Sequence, residues 1–233
     1  MKKTMIYELD LKVFLLKNIF ESEALQKITY FLDRTFLSEG CWKDYHNNIS
    51  FKEYSFKSFY PVEKDKLYKA GNIYQIQIRT SSEKLKDFLE AALPNITTEE
   101  MKGLVLKTRV IKQKYINKLI SITPVITKFN DGYWKDNHTI EEFEKRLVEN
   151  IIKKYNFFND DKLDENFIFF TKIHFKNSIP IKTKYKNISL LGDKIELTIA
   201  NNPIAQNLAY LALGVGLLEL NGRGFGNVNA IWL

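Results

Sequence analysis

The sequence predicts an α+β fold in which a βαββαβ unit occurs twice. One observation is the order of the segments: stretches with strand-like alternation and stretches with helical spacing follow each other in the same order in both halves of the 233-residue chain. The other is composition, since 45% hydrophobic residues can fill one large core or two small ones. This order is the ferredoxin-like arrangement, and we place the two tandem domains at residues 1–115 and 116–233.

The first half contains six predicted elements. They are a strand at 4–14, a helix at 21–38, a hairpin or irregular strand at 50–59, a strand at 72–80, a helix at 82–93 and a strand at 103–112. The strand at 72–80 has the clearest pattern, because its polar and apolar side chains alternate between two faces. The helix that follows it has Ser81 or Ser82 as a cap and Pro94 as a stop.

The second half repeats this order. Its predicted elements are a strand at 119–128, a helix at 140–155, strands at 167–176 and 181–200, a helix at 203–213 and a last strand at 227–233. Turns are expected at Asn177-Ser178 and Gly192-Asp193, and Asn202 caps a helix that has Pro203 at its first position. No Ser- or Pro-rich linker lies between the halves, so we expect them to pack tightly.

Charge and cysteine content narrow the class of protein. The formal net charge is +7, which favours an anionic partner such as nucleic acid or a membrane surface. Cys41 is the only cysteine, so neither a disulfide framework nor a thiolate zinc cluster is expected. Charged residues interrupt the N-terminal apolar run, and no apolar stretch is long enough to span a bilayer. We therefore expect a cytoplasmic protein with no membrane partner.

Two long segments, residues 101–130 and 166–192, contain no Asp or Glu. The second segment carries two alternating basic trios, Lys172, His174 and Lys176 followed by Lys182, Lys184 and Lys186. A period of two places each trio on one face of a strand, and the apolar Ile173 and Phe175 between the members of the first trio on the opposite face. A sheet with a cationic front suits a polyanion, and we interpret all six residues as RNA contacts. An ordinary solvated lysine surface is the alternative.

A glycine cluster lies near the C-terminus and holds five of the ten glycines, Gly214, Gly216, Gly222, Gly224 and Gly226. Successive backbone N–H groups in such a loop form a concave site for anions, and Arg223 adds a cation with forked donors. We therefore expect an exposed loop that grips RNA phosphates, with a glycine-rich turn before the last strand as the alternative. The loop lacks Gly-Lys-Ser/Thr, and Glu219 stands where a dinucleotide fingerprint has its third glycine.

These features together resemble a known family. Tandem ferredoxin-like halves, a basic surface and a loop with a Gly-hydrophobic-Gly triplet at each end are similar to the Cas6 family of CRISPR repeat-cleaving endoribonucleases, within the RAMP group of RNA-binding proteins. The triplets here are Gly214-Val215-Gly216 and Gly224-Phe225-Gly226. The resemblance covers the whole chain in layout, but only the loop is a specific motif. The spacer between the triplets is longer than is usual in the family and contains three leucines.

The resemblance implies an activity and a catalytic set. Such enzymes need no metal or other cofactor, bind CRISPR repeat RNA and use its 2′-OH as nucleophile, which leaves 2′,3′-cyclic phosphate and 5′-OH ends. Their tyrosine in the first helix, histidine after it and nearby lysine correspond here to Tyr30, His46 and Lys52. Other Cas proteins of an effector complex are further implied partners.

The chemistry of RNA self-cleavage agrees with these residue types. Histidine transfers protons near neutral pH, lysine stabilises a dianionic transition state and tyrosine donates a hydrogen bond. Each residue also has a structural alternative: His46 as a solvated histidine, Tyr30 as a core tyrosine and Lys52 as a solvated lysine. His174 is the second candidate for the catalytic histidine. The three histidines, at 46, 138 and 174, lack the spacing of metal ligands, so no metal site is expected.

Two other functions fit the same sequence. A non-catalytic RNA-binding subunit of a CRISPR effector complex would have the same fold and basic surface. A protein scaffold would use that surface to dock an acidic partner. Cleavage of labelled repeat RNA separates the enzyme from both, and RNA binding without cleavage selects the subunit.

Overall fold

The computed structural model describes residues 4–160, 162–185 and 188–233. The first half contains β1 (Ile6–Leu15), β2 (Ile19–Phe20), α1 (Glu21–Phe36), α2 (Gly40–Asn47), β3 (Tyr54–Phe56), β4 (Leu67–Tyr68), β5 (Ile73–Thr80), α3 (Glu83–Ala92) and β6 (Met101–Ile111). The second half contains β7 (Ile116–Ser121), α4 (Trp134–Asn137), α5 (Ile140–Asn159), β8 (Phe170–Phe175), β9 (Ile181–Tyr185), β10 (Ile188–Gly192), β11 (Ile195–Ile199), α6 (Pro203–Val215) and β12 (Val228–Trp232).

Both halves have the strand order of a ferredoxin-like fold. The first sheet runs β3-β5-β1-β6 and the second runs β12-β7-β11-β8. In each, the first strand of the unit lies between the third and the fourth, and every pairing is antiparallel. The predicted α+β fold with two tandem ferredoxin-like units is therefore confirmed.

Local sequence explains the helices that pack on these sheets. The side chain of Ser82 accepts a hydrogen bond from the Leu85 N–H (3.3 Å), which caps α3 as predicted. Asn202 caps α6 in the same way, through the Ala205 N–H at 2.8 Å, with Pro203 in the first position.

No helix in the described part of the chain is both long enough and apolar enough to cross a membrane.

The segment at 181–200, predicted as strand with a turn at Gly192-Asp193, breaks at that turn as expected but contains one strand more than predicted. It is three strands, of which β9 and β10 form a separate hairpin and only β11 joins the second sheet. The turn before β11 is fixed by Asp193, a carboxylate that is 1% exposed. It accepts hydrogen bonds from the Trp134 indole (2.8 Å), the Asn177 amide (2.9 Å) and the Lys135 amine (3.0 Å). A buried charge with this many donors ends the strand and sets the direction in which the hairpin leaves.

Two other boundaries differ from the prediction. The strand expected at 119–128 is β7, which begins at Ile116 and ends at Ser121, while Val125 and Ile126 make only isolated bridges. Residues 40–47, for which no element is predicted, form the helix α2. Eight residues are too few to show a helical period clearly, and Gly40 at the start argues against a helix on propensity alone.

The two sheets are joined through α6 and through a buried charge cluster. The Tyr210 hydroxyl on α6 donates to the Ile111 carbonyl (2.5 Å) and accepts from the Ile6 N–H (3.2 Å). Glu8, 1% exposed, pairs with Arg79 at 2.7 Å, and Arg79 also donates to the Val228 carbonyl at 2.7 Å. Burial alone would raise the pKa of Glu8, but Arg79 and then Arg109 outweigh it, so the pKa is lowered. These contacts confirm that the halves pack against each other.

Candidate functional site

One cavity of about 630 Å³ lies where the two halves meet. The ends of α1 and α2 and the segment that follows them form one side, which includes His46 and Lys52. Residues 218–223 of the glycine-rich loop form another, which includes Arg223. The fold thus brings together a predicted catalytic histidine and a predicted phosphate-binding arginine that are far apart in the sequence.

His46 lies in the last turn of α2 and faces a carboxylate on α1. Its Nε2 is 3.1 Å from Asp33 Oδ1, without the alignment of a hydrogen bond, and Nδ1 is 3.2 Å from Asn47 Oδ1. The His46 side chain is 20% exposed, and the ring of Phe36 lies beside it at 6.5 Å between centroids. The His46 side chain lines the cavity while its Nε2 atom is buried against Asp33, and a histidine beside a carboxylate is suited to proton transfer.

Asp33 links this histidine to the glycine-rich loop. Its second oxygen, Oδ2, is 2.5 Å from an Arg223 guanidinium nitrogen. Both side chains are about one-quarter exposed, so the pair is neither fully buried nor fully screened. A phosphate that enters the cavity therefore meets a guanidinium that is already positioned and that has further N–H donors to offer.

Lys52 holds the end of the helix that carries His46. Its amine donates to the carbonyl oxygens of Tyr45, His46 (3.2 Å) and Asn48 (2.7 Å), which lie at the C-terminal end of α2, where a helix leaves carbonyls without partners. Burial, and then the charge of Arg223, lower the pKa of Lys52. The predicted catalytic role of Lys52 stays a prediction, and its contacts give it a positioning role as well.

Tyr30 occupies a different place from His46 and Lys52. It is 48% exposed on α1 and is absent from the described residues that line the cavity. Tyr54 does line the cavity, and its hydroxyl donates to the Gly222 carbonyl at 3.3 Å. Burial raises the pKa of Tyr54 well above its usual range, so its proton is retained. The catalytic role of Tyr30 stays a prediction.

The expectation of an exposed glycine-rich loop is wrong. Gly214, Gly216, Gly224 and Gly226 are buried, and the loop residues that are half-buried are Glu219, Leu220, Gly222 and Arg223. A Cβ on Gly224 would lie 2.7 Å from Phe56 and 2.8 Å from Leu25, at a φ of +85°. Gly214 belongs to α6, where a Cβ would lie 2.8 Å from Ile6. Turning and close packing thus account for these glycines, while their contacts with RNA stay predictions.

A buried lysine fixes the path of the loop. Lys154 on α5 is 1% exposed, and its amine donates to Gly216 O (2.9 Å), Leu218 O (2.8 Å) and Asn221 Oδ1 (2.5 Å). The Asn221 amide in turn donates to two further loop carbonyls, those of Leu217 (2.9 Å) and Phe225 (3.0 Å). Burial lowers the pKa of Lys154 to about 7. This cluster, Lys154 with Asn221, holds the segment that presents Arg223 to the cavity.

The predicted cationic front is present on β8 and β9. Lys172, His174 and Lys176 are exposed on one side of β8 and its end, and Lys182 and Lys184 are exposed on β9. Lys186 lies outside the described residues. Lys176 is 3.2 Å from Glu196, which also pairs with Lys118 at 2.6 Å, so part of this charge is balanced. RNA contact by these residues stays a prediction.

Sequence reasoning missed several residues of the cavity. The missed lining residues include Asp33, Phe51, Tyr54, Phe157 and Tyr185. Asp33 carried no signal, because a single acid on the polar side of a helix is common. The two phenylalanines follow no pattern that separates an exposed ring from a core ring. Within the described residues, no group of three or more His, Cys, Asp or Glu side chains is placed to hold a metal ion.

Known proteins are similar to this chain in sequence family and in fold. Residues 106–230 match the family model described as CRISPR associated protein Cas6, C-terminal. A solved structure described as CRISPR associated protein Cas6 is 19% identical, with a TM-score of 0.70 over 98% of this chain and 100% of that one. A RAMP protein described as binding different RNA substrates is 18% identical (TM-score 0.73, 97% and 99%), and a Cas6 product complex is 13% identical (TM-score 0.63, 96% and 99%). No curated protein sequence matches significantly.

Proposed function

The chain belongs to the Cas6 family of CRISPR-associated proteins, and we propose that it is a metal-independent endoribonuclease that binds CRISPR repeat RNA and cuts it once per repeat. The observation that carries the proposal is the cavity in which Asp33 joins His46 to Arg223. RNA self-cleavage needs proton transfer at the 2′-OH and at the leaving oxygen together with positive charge at the phosphate, and the cavity offers a proton-transfer group and cations. The RNA substrates of the similar RAMP protein and the product complex of a Cas6 protein support RNA as the ligand.

The proposed reaction uses the RNA's own ribose. The 2′-oxygen attacks the adjacent phosphorus while the bond from phosphorus to the 5′-oxygen breaks, which leaves a 2′,3′-cyclic phosphate and a 5′-OH. His46 either takes the proton of the 2′-OH, while water protonates the leaving 5′-oxygen, or protonates the leaving 5′-oxygen, while water takes the proton of the 2′-OH. Arg223 and Lys52 stabilise the negative charge that develops on the phosphoryl oxygens. Tyr30, one turn before Asp33 on α1, is the predicted hydrogen-bond donor.

We place the rest of the RNA along the cationic strands. Lys172, His174 and Lys176 on β8 and Lys182 and Lys184 on β9 offer exposed positive charge, and Tyr185 at the end of β9 lines the cavity. We therefore propose that the hairpin leads the RNA from the second sheet towards His46. Lys186 is a further predicted RNA contact. Other Cas proteins of an effector complex are further predicted partners, and the predicted setting is cytoplasmic.

A non-catalytic RNA-binding subunit is the second candidate function. The observation that favours it is that the charged groups of the cavity already have partners: Asp33 faces both His46 and Arg223, and Lys52 bonds to three carbonyl oxygens. In that case the cavity would hold RNA without cutting it.

The deciding experiment uses labelled RNA that contains several copies of the CRISPR repeat of the source genome. The proposal predicts one cut at the same position in each repeat and no cut in a scrambled RNA of equal length. Tight binding without cleavage would select the subunit. Failure to bind any RNA would contradict both and leave the protein scaffold.

A further inference from the structure

An aromatic cluster lines the same cavity and has no part in the chemistry described above. Phe157, near the end of α5, lines the cavity with its side chain 54% exposed. Two half-buried rings contact it edge to face, Phe51 at 5.9 Å and Phe158 at 5.5 Å between centroids. Phe51 comes from the first half and Phe158 from the second, so both halves hold the outer ring in place.

The position of this ring indicates the chemistry of a ligand. An exposed phenyl group loses the free energy that burial would give it, and here it lies in a cavity that also contains His46, Lys52 and Arg223. A ligand that fits both parts has a flat apolar portion next to an anionic one. A nucleotide has this form, because a base stacks on an aromatic ring while its phosphate pairs with cations.

We propose that Phe157 is a stacking platform for the nucleobase next to the scissile phosphate, with Phe51 and Phe158 as the residues that fix its ring. This inference rests on the proposed function and adds the way in which the RNA is positioned: one unpaired base stacks on Phe157 and so places the neighbouring phosphate in the cavity that His46 and Arg223 line. Because a stacked ring contributes shape rather than hydrogen bonds, this contact accepts any base.

The test measures the affinity for repeat RNA that carries a 2′-deoxy nucleotide at the cut site, so that binding is observed without cleavage. Phe157→Ala should weaken binding roughly 5- to 150-fold, the range for loss of one stacked base. Removal of the base on one side of the cut, as an abasic nucleotide, should weaken wild-type binding by a similar factor. In Phe157→Ala, the same abasic RNA should lower the affinity little further, because both changes remove the same interaction.

Two variants and one control separate stacking from folding. Phe157→Trp should keep the wild-type affinity, whereas Phe157→Leu, apolar but without a ring, should bind like Phe157→Ala. Phe20→Ala removes a ring that is 59% exposed outside the cavity and should change nothing. The stacking inference alone fails if the wild type cuts the repeat but Phe157→Ala binds it as tightly as the wild type does. It also fails if an abasic nucleotide, on either side of the cut, lowers the affinity of the wild type and of Phe157→Ala by the same factor. If the wild type binds no repeat RNA, the proposed function fails and the inference with it.

Discussion

His46 is held between two elements by contacts that its sequence neighbours do not reveal. Its helix ends on the Lys52 amine, and its ring faces Asp33, which also pairs with Arg223. The sequence and its family resemblance pointed to His46, Lys52 and Arg223, because each is a residue type with distinctive chemistry. They could not point to Asp33, since a carboxylate becomes part of the site only when α1 lies next to both partners.

The first prediction concerns the proton-transfer role of His46. His46→Ala should slow cleavage of repeat RNA roughly 10²- to 10⁴-fold, the usual contribution of a general acid or base, while binding stays nearly unchanged. The measurement is single-turnover cleavage beside a binding curve. His138→Ala, which removes a histidine that pairs with Asp131 and does not line the cavity, is the matched control and should cut at close to the wild-type rate. Full activity in His46→Ala would exclude this residue from the chemistry.

The second prediction concerns the buried amine of Lys154. Its pKa is lowered by burial from 10.5 to about 7. Between these values the unfolded chain binds more protons than the folded one, so folding becomes more favourable as pH rises. The stability of the wild type relative to Lys154→Met should therefore increase from about pH 7 towards pH 10, by at most about 1.4 kcal/mol per pH unit. Denaturant unfolding of both proteins at several pH values measures it, and a constant difference would contradict the lowered pKa.

The elements show which parts of a fold a local pattern can predict. Strands and helices with a strong period and a clear cap, such as β5 and α3, are found at the predicted place. The β9–β10 hairpin and the helix α2 were not predicted from local pattern. The position of the hairpin depends on tertiary contacts of Asp193, and that of α2 on tertiary contacts of Lys52. The glycine-rich loop was recognised as a motif, but its burial depends on packing against Phe56 and Leu25 from the other half.

The third prediction follows from that burial. Gly224→Ala should destabilise the protein by at least about 2 kcal/mol, because a Cβ there overlaps the Phe56 and Leu25 side chains and φ is +85°. Gly40→Ala is the control, since a Cβ at that position meets nothing within 4 Å. Thermal melts of the two variants should differ by several degrees. Equal melting temperatures would mean that the loop is loosely packed and exposed, as its sequence alone suggests.

At the scale of the whole molecule, the account depends on how the two halves are combined. Each sheet is a complete ferredoxin-like unit, yet the cavity takes His46 from one half and Arg223 and Phe157 from the other. The sequence predicted two units that pack tightly. It could not give their relative placement, because the contacts of Arg79 with Val228 and of Tyr210 with Ile111 join residues from opposite parts of the chain.

The fourth prediction concerns the surface that leads to this cavity. The double variant Lys182→Gln/Lys184→Gln should weaken RNA binding and reduce the slope of log Kd against log salt by about 0.7 for each lysine that contacts a phosphate. Lys17→Gln/Lys69→Gln removes the same charge from lysines that pair with Glu99 and Asp65, and should leave the slope unchanged. Binding curves at several salt concentrations give both slopes. Equal slopes in the two double variants would remove the β9 hairpin from the RNA path.

The central claim is that the RNA's own 2′-OH is the nucleophile in the cavity between the halves. Single-turnover assays in EDTA, with repeat RNA that is either all-ribose or 2′-deoxy at the scissile nucleotide, test it most directly. The account predicts that the all-ribose RNA is cut at the full rate in EDTA, that the deoxy RNA is bound equally well and that it is not cut. Cleavage of the deoxy RNA, or cleavage of the all-ribose RNA only when Mg²⁺ is supplied, would contradict it and indicate metal-assisted hydrolysis.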